Sequence, residues 1–436
     1  MLYHNDRYVV LCQYFVLLRA TKFGILFQIH KFFVSLHQKP YCLEMNLDTY
    51  LEPINLEEIG FVHDKFSPRL GDKVIAYTQK GNFPEIKKSR LAILGIKEDR
   101  NSVGNIGCKD APDEIRKKLY ALSIPTYDME LIDVGNIEMG QTSKDTYFAA
   151  IEVVSELLYH NITPIVLGGG QELTYAMYKA YEKQGQIINI FAVDPRFDIG
   201  ADTEELNSRS YLTKIVMSQP NYLFNFTNVG YQSYFVDKNM VDLMKSLQFD
   251  AYRLGLIRSN MEEVEPLVRN ADMVSIDISS IRQSDAPACG NPTPHGFYGE
   301  EICQITRYAG MSDKLSSIGF FELNPRFENN GQTAHLVAHA IWYFIEGFYN
   351  RRSDFPYIDK QNYKRYTVPM HNEGLELVFY KSKKSDRWWM EIPCDEQMKQ
   401  RYARHLLVAC SYADYQTALN NDIPERWWRF YNKLVM

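Results

Sequence analysis

From residue 90 onward short β-branched runs alternate with amphipathic stretches of helix length, and few folds accept that rhythm. Strands are predicted at 90–96 (RLAILGI), 129–135, 162–168 (ITPIVLG), 186–194 (QIINIFAVD), 221–230, 272–279 (DMVSIDIS) and 315–324 (LSSIGFFELN). Helices are predicted at 111–123, 144–160, 171–184, 236–247, 299–310 and 331–349. Such alternation calls for a mostly parallel sheet with helices on both faces, a three-layer α/β/α domain over 90–352. Ligands of such sheets collect at the carboxyl ends of the strands. The polar clusters fall there: GGGQE after ITPIVL, DPRFD after IINIFAV, DISS after MVSI, and ELNP after GFF.

The flanks differ in character. Residues 1–44 mix an apolar run of about eleven residues with Arg19, Lys22, Lys31 and Lys39. That run is too short to span a bilayer, which takes about 20 residues. It has the length of a signal peptide's apolar region, but no clear small-residue cleavage site follows. The expectation is an over-extended or disordered N-terminus ahead of a start at Met45, then an N-terminal arm at 45–89. Residues 353–436 carry the pairs Trp388–Trp389 and Trp427–Trp428 and the tyrosine-rich SYADYQTAL. They form a C-terminal extension, either a strand-and-helix module packed on the main domain or a contact surface for a protein partner.

Composition excludes several classes of function. A net charge of −6 with dispersed Lys and Arg leaves no basic stripe for nucleic acid, and nothing predicts a membrane partner. Seven widely separated cysteines lack the close pairs of zinc sites and read as reduced thiols of a cytoplasmic protein.

The ordered set GGGQE, DPRFD, DISS…DAPA and ELNPRFENNGQTAHLVAHAI resembles the ureohydrolases, the arginase, agmatinase and formimidoylglutamase family. In that family the segments read GGDHS, DAHxD, DxDxxDPxxAPG and ExNPxxDxxxxTAxLA. The resemblance spans roughly 90–350 and implies an arginase-like fold. It also implies two manganese ions held by two histidines and four aspartates, with a metal-bridging hydroxide attacking a guanidinium or amidine carbon. Here the first histidine is Gln171, the second is Arg196, and one late aspartate is Ser279; Asp194, Asp198 and Asp277 remain. An intact dimanganese cluster is therefore not expected. Arg196 is permanently charged and donates only, so it is expected to pair with Asp194 or Asp277 and to stand in for the second cation.

Two expectations for a cofactor stay open. Three carboxylates and one guanidinium sum to about −2, so Asp194, Asp198, Asp277 and the amide oxygen of Gln171 can balance one hard divalent ion, Mn, Mg or Ca. Alternatively no metal binds, and the aspartates pair with Arg196 and cap helices. Glu322, with Asn324 beside it, matches the family's acidic residue that grips the cationic nitrogen of the substrate, and His295 is the histidine nearest the proposed rim.

Two readings of function follow. The sequence favours a protein of ureohydrolase fold that has lost dinuclear hydrolysis and serves as a binding or assembly component, a pseudoenzyme. The other is a hydrolase of linear amidine or guanidino C–N bonds, formimidoylglutamase-like or agmatinase-like, working with one metal or none. In it Arg196 stabilises negative charge, Glu322 holds a small amidine or guanidino ligand, and Asp194, Asp198 or Glu322 serves as base. Family members commonly form trimers or hexamers, and oligomerisation of this chain stays open.

Overall fold

The computed structural model describes residues 47–63, 66–201, 203–356, 361–370 and 374–435. The expectation for 1–44 lies outside them. Among the described residues nine strands form the central sheet: β1 (Ile75–Ala76), β2 (Leu91–Ile96), β3 (Leu131–Ile137), β4 (Thr163–Leu167), β5 (Ile188–Val193), β6 (Leu223–Tyr231), β7 (Asp250–Arg253), β8 (Met273–Asp277) and β9 (Ser317–Phe321). Their order is β1-β3-β2-β4-β9-β8-β5-β6-β7, and every pairing is parallel. Strands β2, β4, β5, β8 and β9 are buried along their whole length. That is why they read as continuous Val/Ile-rich runs rather than as alternation.

Helices cover both faces. Ala111–Tyr120, Gly299–Gly310 and Gln332–Tyr349 pack together over one core, to which Ile115, Ile305, Ala338 and Ile341 contribute. Ser143–Tyr159 and Leu173–Lys183 pair with each other in the other layer. Ser143–Tyr159 starts on a capping box, Thr142 with Asp145, which satisfies amide donors that helix ends otherwise leave free. Two short strands were not predicted. β7 is a polar run of four residues at one edge of the sheet and β1 has two residues at the other, too short for periodicity to show.

The extension builds its own antiparallel sheet, β10 (Tyr363–Pro369), β11 (Glu376–Ser382), β12 (Trp388–Glu391) and β13 (Leu407–Cys410), in that order. Trp388, Trp427, Phe379 and Phe430 share a core with Phe224 at the start of β6. The module is fastened at the amino ends of the main strands. Buried Arg269 donates to the carbonyls of Trp388 (3.1 Å) and Cys410 (3.2 Å) and stacks on Trp389 at 4.4 Å. Asp272, just ahead of β8, accepts from Arg404 at 2.7 Å, and Asp250, which opens β7, pairs with Arg429. Trp388, Trp389 and Trp427 are thus interior, whereas Trp428 is 47% exposed. No helix among the described residues is long and apolar enough to cross a membrane.

Candidate functional site

The strands β4, β9, β8 and β5 are consecutive in the middle of the sheet. Their carboxyl ends therefore converge, and with them Gln171, Glu322, Asp277 and Asp194. The turn after β4 demands small residues. A side chain at Gly169 would place its Cβ 1.8 Å from the Glu98 carbonyl oxygen, and one at Gly170 would stand 2.1 Å from Glu172 Oε2. The motif GGDHS has its aspartate where Gly170 stands, and here the buried Glu172 fills the space. Burial pushes the Glu172 carboxyl well above its usual range, and Glu172 Oε2 has no hydrogen-bond partner.

Glu322 is held in a left-handed backbone conformation, φ +67°. Its carboxylate accepts from Ser102 Oγ (2.9 and 2.8 Å), from Asn105 Nδ2 (2.7 Å) and from the Gln171 backbone N–H (2.9 Å). Burial raises its pKa and these donors oppose the rise. Neither Ser102 nor Asn105 was singled out from sequence; both lie in the segment NSVGNIG, about 220 residues upstream of Glu322. Asn324 does not face the site. Its amide donates to the Asn105 carbonyl, Asn105 Oδ1 and the Ile106 carbonyl. Its function is to pin that loop, because each of its donor contacts is made inside the protein.

The three aspartates lie close enough to act on one another. Asp194 Oδ1 accepts from the Arg196 backbone N–H at 2.6 Å, and Asp277 Oδ1 accepts from the Ser279 N–H at 2.6 Å, so each caps a turn. Asp194 Oδ2, Asp198 Oδ2 and Gln171 Oε1 are buried without any hydrogen-bond partner. Burial raises Asp194 and Asp277 well above the carboxylate range, with the Asp198 charge adding to the first and the Asp194 charge to the second. Asp198 is pushed up to about 7 by burial and by Asp277, against a downward pull from Asp194 and Arg196.

Arg196 corrects one expectation. Its guanidinium carbon lies 4.1 Å from the centre of the Phe235 ring, and it forms no salt bridge with Asp194, Asp198, Asp277 or Glu322. The aromatic face holds the cation half-buried at the mouth, an attraction of about 0.5–2 kcal/mol, without the desolvation that pairing at depth would cost. Arg196 still lines the same small cavity as Asp198, Asp277 and Glu322, together with Ser208, Arg209 and Asn291. That cavity is ≈ 10 Å³, about the space of one water. Arg209 closes it by donating to Asn291 Oδ1 at 2.6 Å. Nothing in the residue types of the segment NSRSYLTKI marks Arg209 for this cavity. His295 does not line this cavity; it lines a neighbouring cleft with Tyr231 and Arg253.

The residues do not fit a pair of manganese ions. Second-ion positions carry a guanidinium, which cannot donate a lone pair, and the Ser279 hydroxyl. Among the described residues no three His, Cys, Asp or Glu side chains are placed as a ready ligand set. They do fit one hard ion, because the oxygens left without partners belong to Gln171, Asp194 and Asp198, an all-oxygen set completed by an amide.

Comparison with known proteins gives a consistent picture. The model of the arginase family matches residues 89–346. A formimidoylglutamase of Staphylococcus aureus (strain JH9) is 26% identical over 275 residues, covering 59% of this chain and 86% of its own. The crystal structure of formimidoylglutamase from Bacillus subtilis superposes with a TM-score of 0.60 at 20% identity, over 67% of this chain and 95% of that one. Trypanosoma cruzi formiminoglutamase, a structure with Mn2+, gives 0.59 at 18% identity, over 65% and 99%. At these identities the structural likeness speaks for the fold.

Proposed function

Since the chain belongs to the arginase family, we propose that it is a member in which dinuclear hydrolysis has given way to a binding or assembly function, around a strand-end site that takes at most one hard divalent cation. The observation that carries this reading is the distribution of unsatisfied oxygens. Gln171 Oε1, Asp194 Oδ2 and Asp198 Oδ2 await a cation or a proton, whereas a second ion would meet Arg196 and Ser279. When bound, a single ion would neutralise the buried carboxylates and polarise a neighbouring oxygen. Asp194, Asp198, Asp277 and Gln171 would hold it; Arg196 supplies a fixed positive charge at the mouth.

The remaining residues support binding over turnover. Glu322 is already engaged by three internal donors, which leaves little capacity for an amidinium. A cavity of ≈ 10 Å³ accepts an ion or a water and nothing larger until Arg209 and Asn291 part. The half-exposed Trp428 supports a protein partner at the extension. A second reading keeps hydrolysis of a linear amidine or guanidino bond, because Glu322, Asp277 and Asp198 face one cavity and the relative at 26% identity is a formimidoylglutamase.

The test is metal content after dialysis against Mn2+, Mg2+ and Ca2+, with assays on formimidoylglutamate, agmatine and arginine. One equivalent or less of metal and no product above buffer is the expected result. Two equivalents of manganese with turnover would overturn the proposal.

A further inference from the structure

A second cleft of ≈ 730 Å³ opens at the carboxyl ends of β6 and β7. It shares no lining residue with the carboxylate cavity. Its volume lies in the range of small-molecule sites, about 300–1,000 Å³. The lining has one sign. Arg253, Arg258 and His295 contribute to it, and no described Asp or Glu does, although the chain carries a net charge of −6.

The two arginines are not equivalent. Arg258 is tied down, with Nε 3.1 Å from Glu301 and its guanidinium 3.8 Å over the Tyr298 ring. Arg253 is exposed, makes no salt bridge among the described residues, and sits 6.0 Å from the Tyr231 ring. Beside it the apolar surface is unusually open: Tyr234 is 63% and Leu256 61% exposed. Gln232 stiffens the wall, accepting from the Tyr234 hydroxyl and donating to the His295 carbonyl at 2.8 Å.

We propose that this cleft binds a small oxyanion, a carboxylate or phosphate monoester, carried on an aromatic or apolar body. The anion sits on Arg253, and the body lies on Tyr234 and Leu256. A guanidinium without an acidic partner beside uncovered apolar surface has both halves of that ligand's complement.

Isothermal titration of the full chain with phenyl phosphate and benzoate tests the assignment; inorganic phosphate serves as the charge alone and benzyl alcohol as the body alone. At least one of the first two is expected to bind below 1 mM, and whichever is tighter identifies the oxyanion. The charge-only and body-only probes are expected to bind at least about tenfold more weakly. Arg253→Gln should weaken the better probe at least about tenfold, while Asp198→Asn, in the other cavity, should change it less than about twofold. Arg253 is exposed, so its replacement leaves the fold intact. Failure of both probes to bind below 10 mM, equal affinity for all four, or an unchanged affinity in Arg253→Gln would overturn the proposal. None of these outcomes depends on the metal content of the carboxylate site.

Discussion

Arg196 touches Asp194 only through its backbone N–H, at 2.6 Å, while its guanidinium rests 4.1 Å over Phe235. The guanidinium thus makes no ion pair with the aspartates, although it lines their cavity and its charge pulls Asp198 down.

Restoring the missing ligands should restore the second ion. Arg196→His combined with Ser279→Asp is expected to raise bound manganese from at most one equivalent to about two, measured by elemental analysis after gel filtration. Either change alone is expected to leave stoichiometry at one or below. A double variant that stays at one equivalent or less would show that these positions do not govern the second ion.

The buried carboxylates make the metal-free protein sensitive to pH in an unusual direction. Asp198 rises from 3.8 to about 7 on folding, so the folded state binds more protons than the unfolded state between those values. That stability is fully present below pH 3.8 and is lost as pH rises through 7, on the order of 4 kcal/mol at roughly 1.4 kcal/mol per unit. The melting temperature in EDTA is expected to fall between pH 5 and pH 8, less steeply in Asp198→Asn. A melting temperature that climbs over this interval would contradict the assigned shift.

Glu322→Gln keeps the shape and removes acceptor capacity. Ser102, Asn105 and the Gln171 N–H all donate to that carboxylate, and an amide nitrogen facing any of them leaves a buried donor unpaired. The expected loss is about 1–3 kcal/mol in urea unfolding. A neutral effect would mean that the carboxylate is not the hub of this loop network.

Trp389→Ala should cost about 3–5 kcal/mol, since the ring is buried and carries the Arg269 guanidinium on its face. Trp428→Ala, at a half-exposed site, is expected to cost less than about 1 kcal/mol. Equal losses for the two would contradict the interior placement of Trp389.

Much of this architecture is written in local patterns. Seven of the nine main strands overlap the predicted runs, because fully buried parallel strands leave unbroken apolar segments. The residues Gln171, Asp194, Asp198 and Asp277 were legible because the segments GGGQE, DPRFD and DISS, which carry the family resemblance, stand at the ends of such runs. Partners supplied by distant loops were not. Ser102 and Asn105 gain meaning only once β2 and β9 flank β4, and nothing about the type of Asn324 says that its amide faces a loop rather than a ligand. His295 was placed by proximity in sequence, which cannot tell two neighbouring openings apart. The position of Arg196 depended on Phe235, whose place beside it is set by the turn that follows β6.

Fastening the extension at the amino ends of β7 and β8 anchors it on the side of the sheet away from the carboxylate cavity. Asp272 with Arg404, and Asp250 with Arg429, tie those strand ends to the extension. The rim loops carry none of these ties, so their side chains can be exchanged without loosening the extension.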